Sequence, residues 1–586
     1  MDKNVISAIT DAVAIFAGAA PVNATPMPNF EQYAEYLKSN RPPPEQLENQ
    51  RQSLPIEEVK CPVISIAIVG AGAGDTDIDA TLVSLTAQTY KKWELVLAFE
   101  LSRTGVLRFK EMEHVRIVQL DGTLNSLLKA AEAELRGDIY LYLRPGDRLS
   151  PDSLFTMIQQ FGSNTETDII FADSDELDRD GNRIRPFFKP SYSPNSEMCY
   201  DMIKRPLLVK KAVHIEAGGY IGVSEEDYHE YALRCGHSAR HTARVSRILL
   251  TQTRVPVINS LPSFENRLDT LLAKGKPIGK AMPGLFSGST QIRHDIRGKA
   301  SVALIISYPK NVEMLKRCLE SIDAQITYPN YRLMIVASTA EETEADMNTY
   351  LEALKRNKAA SIVRVKNSSI SIPRLANEGA KRSASDYLMF ISPHLEVLTP
   401  DFVERMIEPL QVSGVVACGG KLLDCNDLLY SCGTVIGLNG WAASPYCGTP
   451  DDSADVLKCT FTSMQRNVSA LCGELFTVRS DEFYNIGLFD ESFTHVGWDT
   501  ELCIRFMRRG RLCVYTPYAK AKLNSLPIEY AHAPAQNLQR CYDAYREIML
   551  AGDKYYNDNY DYKSIIPIPA INPYSPILLN PLYGKS

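Results

Sequence analysis

The chain has 586 residues, which is enough for about four domains of ordinary size or for fewer large ones. Apolar residues make up 45% and charged residues 23%, which is typical of a globular protein and excludes a disordered, collagen-like or coiled-coil chain. The 63 Lys and Arg residues nearly balance the 70 Asp and Glu residues, so the net charge of −7 does not favour binding to nucleic acid.

Thirteen cysteines are spread along the chain without a close-spaced pair. This pattern predicts free or buried thiols in a reducing compartment rather than a disulfide framework. No apolar run reaches the ~18 residues needed to span a bilayer, and the stretch 12–22 is interpreted as a short amphipathic helix. We therefore expect a cytoplasmic protein without a transmembrane segment. Peripheral contact with the inner face of a membrane is left open.

The N-terminal residues read as a polar arm with a helical stretch, after which short apolar runs rich in β-branched residues alternate with helical patterns. This alternation predicts an α/β fold with parallel strands joined by helices. The predicted elements in chain order are a helix at 30–38, a strand at 63–69, a helix ending near 88, strands at 93–99 and 115–120, a helix at 124–135 and a strand at 138–143.

The same order of elements restarts near Ser301. Offsets between matching stretches grow slowly from 237 to 249 residues, as surface-loop insertions would produce. The matching pairs are Ser84–Gln88 with Ser321–Gln325, Trp93–Leu97 with Tyr331–Ile335, Asp138–Pro145 with Asp386–Pro393, and Leu149–Asp152 with Leu398–Asp401. We therefore predict two tandem copies of one large α/β domain.

The repeat divides the chain into five predicted segments. They are an N-terminal arm at 1–59, a first copy at 60–255, a linker at 256–299, a second copy at 300–525 and a C-terminal extension at 526–586. The linker contains a helix-like stretch at 264–274 and a Gly/Pro/Ser-rich stretch at 283–289.

Several motifs carry a resemblance to a known family. Pro62–Ile66 followed by Ser84–Leu95 resembles the opening of family 2 glycosyltransferases with the GT-A fold. Asp168–Asp175 followed by Pro186–Pro194 is similar to a stretch of two-domain members that build bacterial surface polysaccharides. Further similar segments are Tyr33–Lys38, Arg374–Gly379, Asn467–Gly473, Gly487–Phe493, Asp499–Arg505 and Asp553–Asn559. The motifs cover most of the chain in a specific order.

The resemblance implies two tandem Rossmann-like GT-A domains of the nucleotide-diphospho-sugar transferase type. It implies a glycosyltransferase of the hexosyl type that moves a sugar from a nucleotide-sugar donor to a glycan, lipid-linked or protein acceptor, in surface polysaccharide or glycoconjugate biosynthesis. It also implies three acidic stations: a nucleoside contact, an Asp-x-Asp that holds Mg²⁺ or Mn²⁺, and a helix start that supplies the catalytic base.

The first copy keeps these stations only in part. Glu100 remains at the nucleoside station, and Asp147 remains at the metal station. Asp147 fits a cation ligand or an ordinary turn residue equally, whereas Arg144 would lie against the diphosphate. Asp227 is the candidate base, although a helix-start role is nearly as well supported and its register against Arg234 is uncertain by one residue.

The second copy keeps the base station in register, with Asp499 as candidate base and Glu501 as a further donor-binding candidate. Its nucleoside station has lost the acid, and His394 stands where an Asp is expected at the metal station. We interpret His394 as an ordinary surface or core histidine. Lys129 of the first copy takes the position that answers Asn377 of the second.

Neither copy holds a complete set of acids, so the divalent cation is left open and one or both copies are candidates for inactivity. The alternative function is a catalytically inactive glycosyltransferase-like binding or scaffold protein. A nicotinamide-dependent enzyme is disfavoured, because Gly70–Gly74 lacks the Gly-x-Gly-x-x-Gly spacing. The tyrosines at 555, 556, 560 and 562 are interpreted as a packed C-terminal arm rather than as sugar-stacking faces.

Overall fold

A computed structural model describes the greater part of the chain. The described residues are 30–53, 61–70, 74–163, 166–222, 224–253, 279–307, 311–338, 345–357, 359–366, 371–525 and 533–571. The helices expected at 12–22 and 264–274 and most of the Gly-rich loop at 70–74 lie outside these ranges.

Within the described residues, nine strands form a first sheet. The strands are β1 (Ile64–Val69), β2 (Trp93–Phe99), β3 (Val115–Gln119), β4 (Ile139–Leu143), β5 (Arg148–Leu149), β6 (Ile169–Leu177), β7 (Arg183–Phe187), β8 (Leu207–Lys210) and β9 (Thr242–Thr253). Their order is β3-β2-β1-β4-β8-β6-β9-β5, and β7 pairs with β6. The first four strands are parallel, as expected, but β8 is antiparallel to both neighbours and makes the sheet mixed.

A hairpin of β10 (Gly279–Pro283) and β11 (Thr290–His294) precedes a second large sheet. The later strands are β12 (Val302–Ser307), β13 (Tyr331–Ser338), β14 (Ser361–Val365), β15 (Tyr387–Ile391), β16 (Leu395–Val397), β17 (Val415–Leu423), β18 (Leu429–Ser431), β19 (Val435–Ile436), β20 (Ala442–Ala443), β21 (Arg466–Val468), β22 (Leu475–Arg479) and β23 (Leu512–Leu523). The order β14-β13-β12-β15-β22-β17-β23-β16 repeats the first sheet strand for strand. The expectation of two tandem α/β copies is therefore confirmed, whereas the exact boundaries at 59, 255, 299 and 525 stay predictions.

The two copies also share strand register. Ile64 pairs with Trp93 on one side and Ile139 on the other, and Val302 pairs in the same way with Tyr331 and Tyr387. Equivalent residues of the sequence repeat thus occupy equivalent places in the two sheets.

Helices cover both faces of the two sheets, which is why most residues of the central parallel strands are apolar and buried. The helices are α1 (Phe30–Ser39), α2 (Pro44–Ser53), α3 (Asp75–Thr86), α4 (Leu124–Ala133), α5 (Ser153–Ser163), α6 (Pro194–Cys199), α7 (Lys211–Glu216), α8 (Glu225–Ser238), α9 (Val312–Gln325), α10 (Ala345–Arg356), α11 (Ile372–Lys381), α12 (Phe402–Ile407), α13 (Val456–Thr462), α14 (Ser480–Ile486), α15 (Trp498–Arg508) and α16 (Ala535–Ala551).

The segments outside the two copies pack against them. Tyr33 of α1 donates a hydrogen bond to Asp175 of β6. In the C-terminal extension, Asn557 and Asn559 both donate to the buried carboxylate of Asp173. Tyr556, Tyr560 and their neighbours are buried in the same apolar cluster as α1. The expected packed C-terminal arm is thus confirmed.

The thirteen cysteines are free thiols, and most of them are buried. No helix in the described part of the chain is both long and apolar enough to cross a membrane.

Candidate functional site

A cleft of about 510 Å³, part of it open solvent, lies at the carboxyl ends of two neighbouring parallel strands of the second copy. Its lining includes Ser307 at the end of β12, residues 391–394 at the end of β15, and Gly473, Glu474 and Trp498. Ligands of open α/β sheets bind at this edge, because the loops after the strands leave a crevice there. The cleft is therefore the candidate site of the second copy.

Asp499 lies at the start of α15 beside this cleft, and its side chain is half-buried. One carboxylate oxygen accepts a hydrogen bond of 2.8 Å from the N–H of Gly473, and the other accepts one of 2.7 Å from the N–H of Thr500. Burial raises the pKa of Asp499 to about 6; these hydrogen bonds oppose the rise, and the nearby charge of Glu474 adds to it. A carboxylate with this pKa is suited to accept a proton near neutral pH.

Trp498 shapes the cleft beside Asp499. Its ring packs against Gly473 so closely that a Cβ atom on this glycine would lie 2.2 Å from the ring. Phe489 also contacts the ring, in an edge-to-face arrangement with centroids 4.8 Å apart. Gly473 is therefore required by packing, since any larger residue would displace either the ring or the N–H that binds Asp499.

Glu474 and His394 complete the polar lining. Glu474 is 4% exposed, and its carbonyl accepts a hydrogen bond of 2.8 Å from the N–H of Ser392. His394 contacts Ser525 through its Nδ1 atom at 2.7 Å and is one of the residues that line the cleft. Its interpretation as an ordinary histidine stays a prediction. Reasoning from the sequence missed Glu474 and Trp498. Both could have been found from their positions in the sequence, because Glu474 directly precedes a buried strand and Trp498 directly precedes Asp499.

Glu501 is held by an ion pair on α15. Its two carboxylate oxygens receive Arg505 at 2.7 and 2.8 Å, and the same guanidinium donates to the carbonyls of Ile486 and Leu488. Arg505 therefore anchors the helix that carries Asp499 to the turn before it. The role predicted for Glu501 in donor binding stays a prediction.

The first copy repeats this anchor and thereby gives the register of its helix. Arg234 pairs with Glu230 and donates to the carbonyls of Ala217 and Gly219. Because Asp499 stands six residues before Arg505, the equivalent position six residues before Arg234 is Tyr228. The similar contacts of the two arginines favour the register in which Tyr228 answers Asp499. The Tyr228 ring packs beneath the guanidinium of Arg205 at 3.8 Å.

Asp227 instead closes the first turn of α8. Its carboxylate accepts from the N–H of Ser224, and the Ser224 hydroxyl oxygen accepts from the N–H of Asp227, which forms a reciprocal capping box. The helix-start alternative for Asp227 thus has direct structural support. Its role as a base stays a prediction.

A neighbouring contact differs from the sequence repeat. Asn377 binds Phe489 through both its amide oxygen and its amide nitrogen. In the first copy the matching N–H of Tyr220 is bound by Glu132, one helical turn beyond Lys129. Lys129 is aligned with Asn377 in the sequence repeat. In the structure Glu132 makes the equivalent contact, because the glutamate side chain is longer than that of asparagine and can reach from the next turn of the helix.

The donor-binding candidates of the first copy lie at the equivalent edge of the first sheet. Glu100 follows β2, and Arg144 and Asp147 follow β4, with β1 between them, so they stand about two strand spacings or 10 Å apart. The carboxylate of Asp147 accepts a hydrogen bond of 2.9 Å from the N–H of Arg144, which closes the turn. The edge thus brings these three residues to one side of the sheet, while their binding role remains a prediction.

A divalent cation would need converging oxygen or nitrogen donors at one of these edges. Among the residues that the structure describes, no group of three His, Cys, Asp or Glu side chains could hold a metal ion. Asp147 is already engaged in its turn, and His394 contacts Ser525. Among the described residues, these donors do not fit a metal site built from the chain alone.

Comparisons with known proteins give one family match within the second copy and relatives that match most of the chain. Residues 303–436 match the family described as Glycosyl transferase family 2. The O-antigen biosynthesis protein RfbC of Myxococcus xanthus is 25% identical over 522 residues, which cover 85% of this chain and 40% of the relative. The uncharacterized protein y4gI of Sinorhizobium fredii is 24% identical over 484 residues, which cover 78% of this chain and 52% of the relative. The chain spans about half or less of the length of these relatives.

Similar solved structures include GalNAc-T7 with UDP, GalNAc and Mn²⁺, at 12% identity and a TM-score of 0.34 over 44% of this chain and 49% of that one. They also include S. aureus TarS 1–349 in complex with UDP, at 12% identity and a TM-score of 0.30 over 37% of this chain and 67% of that one. TM-scores this low support no argument about activity. Residues 303–436 are thus similar to glycosyl transferase family 2, and the chain is built from two tandem α/β domains with the same strand order.

Proposed function

We propose that the protein is a glycosyltransferase that moves a sugar, of hexosyl type, from a nucleotide-sugar donor to a glycan, lipid-linked or protein acceptor in surface polysaccharide biosynthesis. The observation that carries the proposal is Asp499, a carboxylate with a raised pKa at a helix start beside the cleft of the matched family segment. The similarity to an O-antigen biosynthesis protein supports the polysaccharide class.

The chemistry assigned to Asp499 is that of a general base. Its carboxylate takes the proton of the acceptor hydroxyl, the acceptor oxygen forms a bond to the anomeric carbon, and the bond from that carbon to the diphosphate oxygen breaks. The nucleoside diphosphate leaves with the electron pair of the broken bond. Gly473 and Thr500 hold the carboxylate oxygens in place and Glu474 lies beside them, so this base is preorganised before the substrate binds.

A second function is supported for the first copy alone. Tyr228 stands at the position of the base, so the first copy has no carboxylate there. It retains Glu100, Arg144 and Asp147 at the donor edge. We therefore propose that the first copy binds a ligand or acts as a scaffold without turnover, and that the second copy performs the transfer.

The test begins with thermal-shift screening of UDP-, GDP- and TDP-sugars on the full chain, with and without Mn²⁺. The nucleotide-sugar that stabilises the protein is then incubated with glycan and lipid-linked acceptors, and nucleotide release is measured for wild type and Asp499→Asn. We expect release by the wild type and its loss in the variant. If a nucleotide-sugar stabilises the protein but no nucleotide is released with any of the acceptors, the result would favour the binding-protein alternative.

A further inference from the structure

One buried segment connects the two copies to the cleft. Residues 466–474, here called the wall segment, begin with β21 and end with Gly473 and Glu474 on the cleft. All nine residues are buried. Each hydrogen bond that holds the segment is therefore shielded from water, and its loss would leave a buried polar group unsatisfied.

The first copy holds the near end of the wall segment. The N–H of Asn195 in α6 donates to the side-chain oxygen of Asn467 at 3.1 Å, and the side-chain nitrogen of Asn467 donates back to the side-chain oxygen of Asn195 at 3.1 Å. The N–H of Asn467 also donates to the hydroxyl of Ser196 at 3.2 Å. Asn195 and Asn467 are 0% and 1% exposed, so this reciprocal pair is a fully buried joint between the copies.

The C-terminal extension holds the middle of the wall segment. The Ser469 hydroxyl donates to Asp553 at 2.6 Å, and the same carboxylate accepts from the N–H of Ile436. A few residues later, Asn557 and Asn559 bind Asp173 of the first copy. The C-terminal extension therefore connects the wall segment to the first copy a second time, in addition to the pair of Asn195 and Asn467.

The far end of the wall segment holds Asp499. Gly473 donates its N–H to the Asp499 carboxylate at 2.8 Å. Gly473 follows Asn467 by six residues, a span of at most about 20 Å even when fully extended. A displacement at the joint would thus reach Asp499 through a short, packed and hydrogen-bonded path.

We propose that the first copy is a positioning domain for the second, and that Asn195 acts through Asn467 to hold the wall segment in the geometry that places the Gly473 N–H on Asp499. Asn195 is a positioning residue, because it acts through Asn467 and does not line the cleft. The catalytic consequence rests on the proposed function, whereas the mechanical coupling does not.

The test uses the full chain and the variant Asn195→Ala. Hydrogen–deuterium exchange is measured over peptides covering 466–474. We expect exchange about tenfold faster than in the wild type, because the substitution removes the side-chain oxygen of Asn195 and leaves the buried side-chain nitrogen of Asn467 without this acceptor. Turnover should fall by roughly 10-fold to 10²-fold, since small misplacements of a catalytic group are costly. The acidic limb of the pH–rate profile should move to higher pH, because Asp499 loses a donor to its charged form.

The matched control is Asn182→Ala, an exposed asparagine of the first copy that bonds only within the turn at Asp178. It should leave exchange and turnover unchanged. Ser196→Ala, which removes a single bond to the wall segment, replaces Asn195→Ala should the latter fail to fold. Unchanged exchange at 466–474 overturns the coupling, and faster exchange with wild-type turnover overturns the positioning role. Absence of turnover in the wild type overturns the proposed function, while the exchange result still decides the coupling.

Discussion

Tyr228 occupies in the first copy the position that Asp499 occupies in the second. Each stands six residues before an arginine, Arg234 or Arg505, that binds a glutamate on its own helix and the carbonyls of the turn before that helix. An ordinary phenol has a pKa near 10 and does not serve as a base at neutral pH. The two copies therefore share a fold while only one retains a carboxylate where a base would act.

Asp499→Asn should lower turnover by ~10²–10⁴-fold, because an amide cannot accept the acceptor proton. The amide oxygen still accepts one of the two hydrogen bonds, so the fold should survive. Nucleotide release per enzyme and a thermal unfolding curve measure the two effects.

Asp227→Asn is the matched control for that change. The asparagine keeps an acceptor for the Ser224 N–H, so the capping box and the turnover should both stay close to wild type. A loss of turnover in Asp227→Asn, with normal turnover in Asp499→Asn, would transfer the base to the first copy.

The rate should depend on pH through Asp499. Its ionised form is the base, so kcat/KM should rise as pH increases through about 6 and then level off. The folded pKa lies above the ordinary value of 3.8, so the protonated form favours folding: this contribution is full below about pH 4 and is lost as pH rises through 6. Rates and unfolding free energies across this range check both trends. A flat profile between about pH 5 and about pH 7 would contradict the assignment.

Gly473→Ala should damage both the fold and the site. Its new Cβ would lie 2.2 Å from the Trp498 ring, and the contact with Phe489 restricts the movement of that ring. We expect a loss of about 1–3 kcal/mol in the free energy of unfolding, as for an overpacked core, together with reduced turnover. Urea titration and a turnover assay measure these effects.

Gly74→Ala serves as its control. A Cβ at Gly74 would meet its nearest neighbour at an ordinary 3.4 Å, and the φ of −67° suits any residue. Equal losses in the two variants would show that the tight contact at Trp498 is not the cause.

Asp147→Ala tests donor binding by the first copy. If Asp147 contributes to a nucleotide-sugar site there, the variant should bind more weakly by ~1.5–3 kcal/mol, as expected for losing a charged hydrogen bond. Titration calorimetry with the nucleotide-sugar found by screening measures the change. Asn182→Ala again serves as a neutral comparison in the same copy. If Asp147→Ala binds the nucleotide-sugar with the affinity of the wild type, the donor site would be assigned to the second copy.

Much of the fold could be predicted from local patterns. The strand expected at 93–99 is found at Trp93–Phe99, and the helix expected at 124–135 is found at Leu124–Ala133. The tandem repeat was predicted from the order of its motifs and is confirmed by the shared strand order. Asp499 was singled out by its spacing to Arg505, because residues on one helix keep their spacing whatever surrounds them.

The sequence by itself thus determined the helices and strands, their duplication and the difference between the two copies at the acidic stations. All of these features can be read from residues that are close together in the chain. Only the tertiary structure decided that β8 runs antiparallel and that Tyr228 matches Asp499. It alone placed Asn195 on Asn467, 272 residues away, and Gly473 on Asp499. Such contacts join residues far apart in the chain, and they form because burial leaves each polar group only the partner that the packed sheets bring within reach.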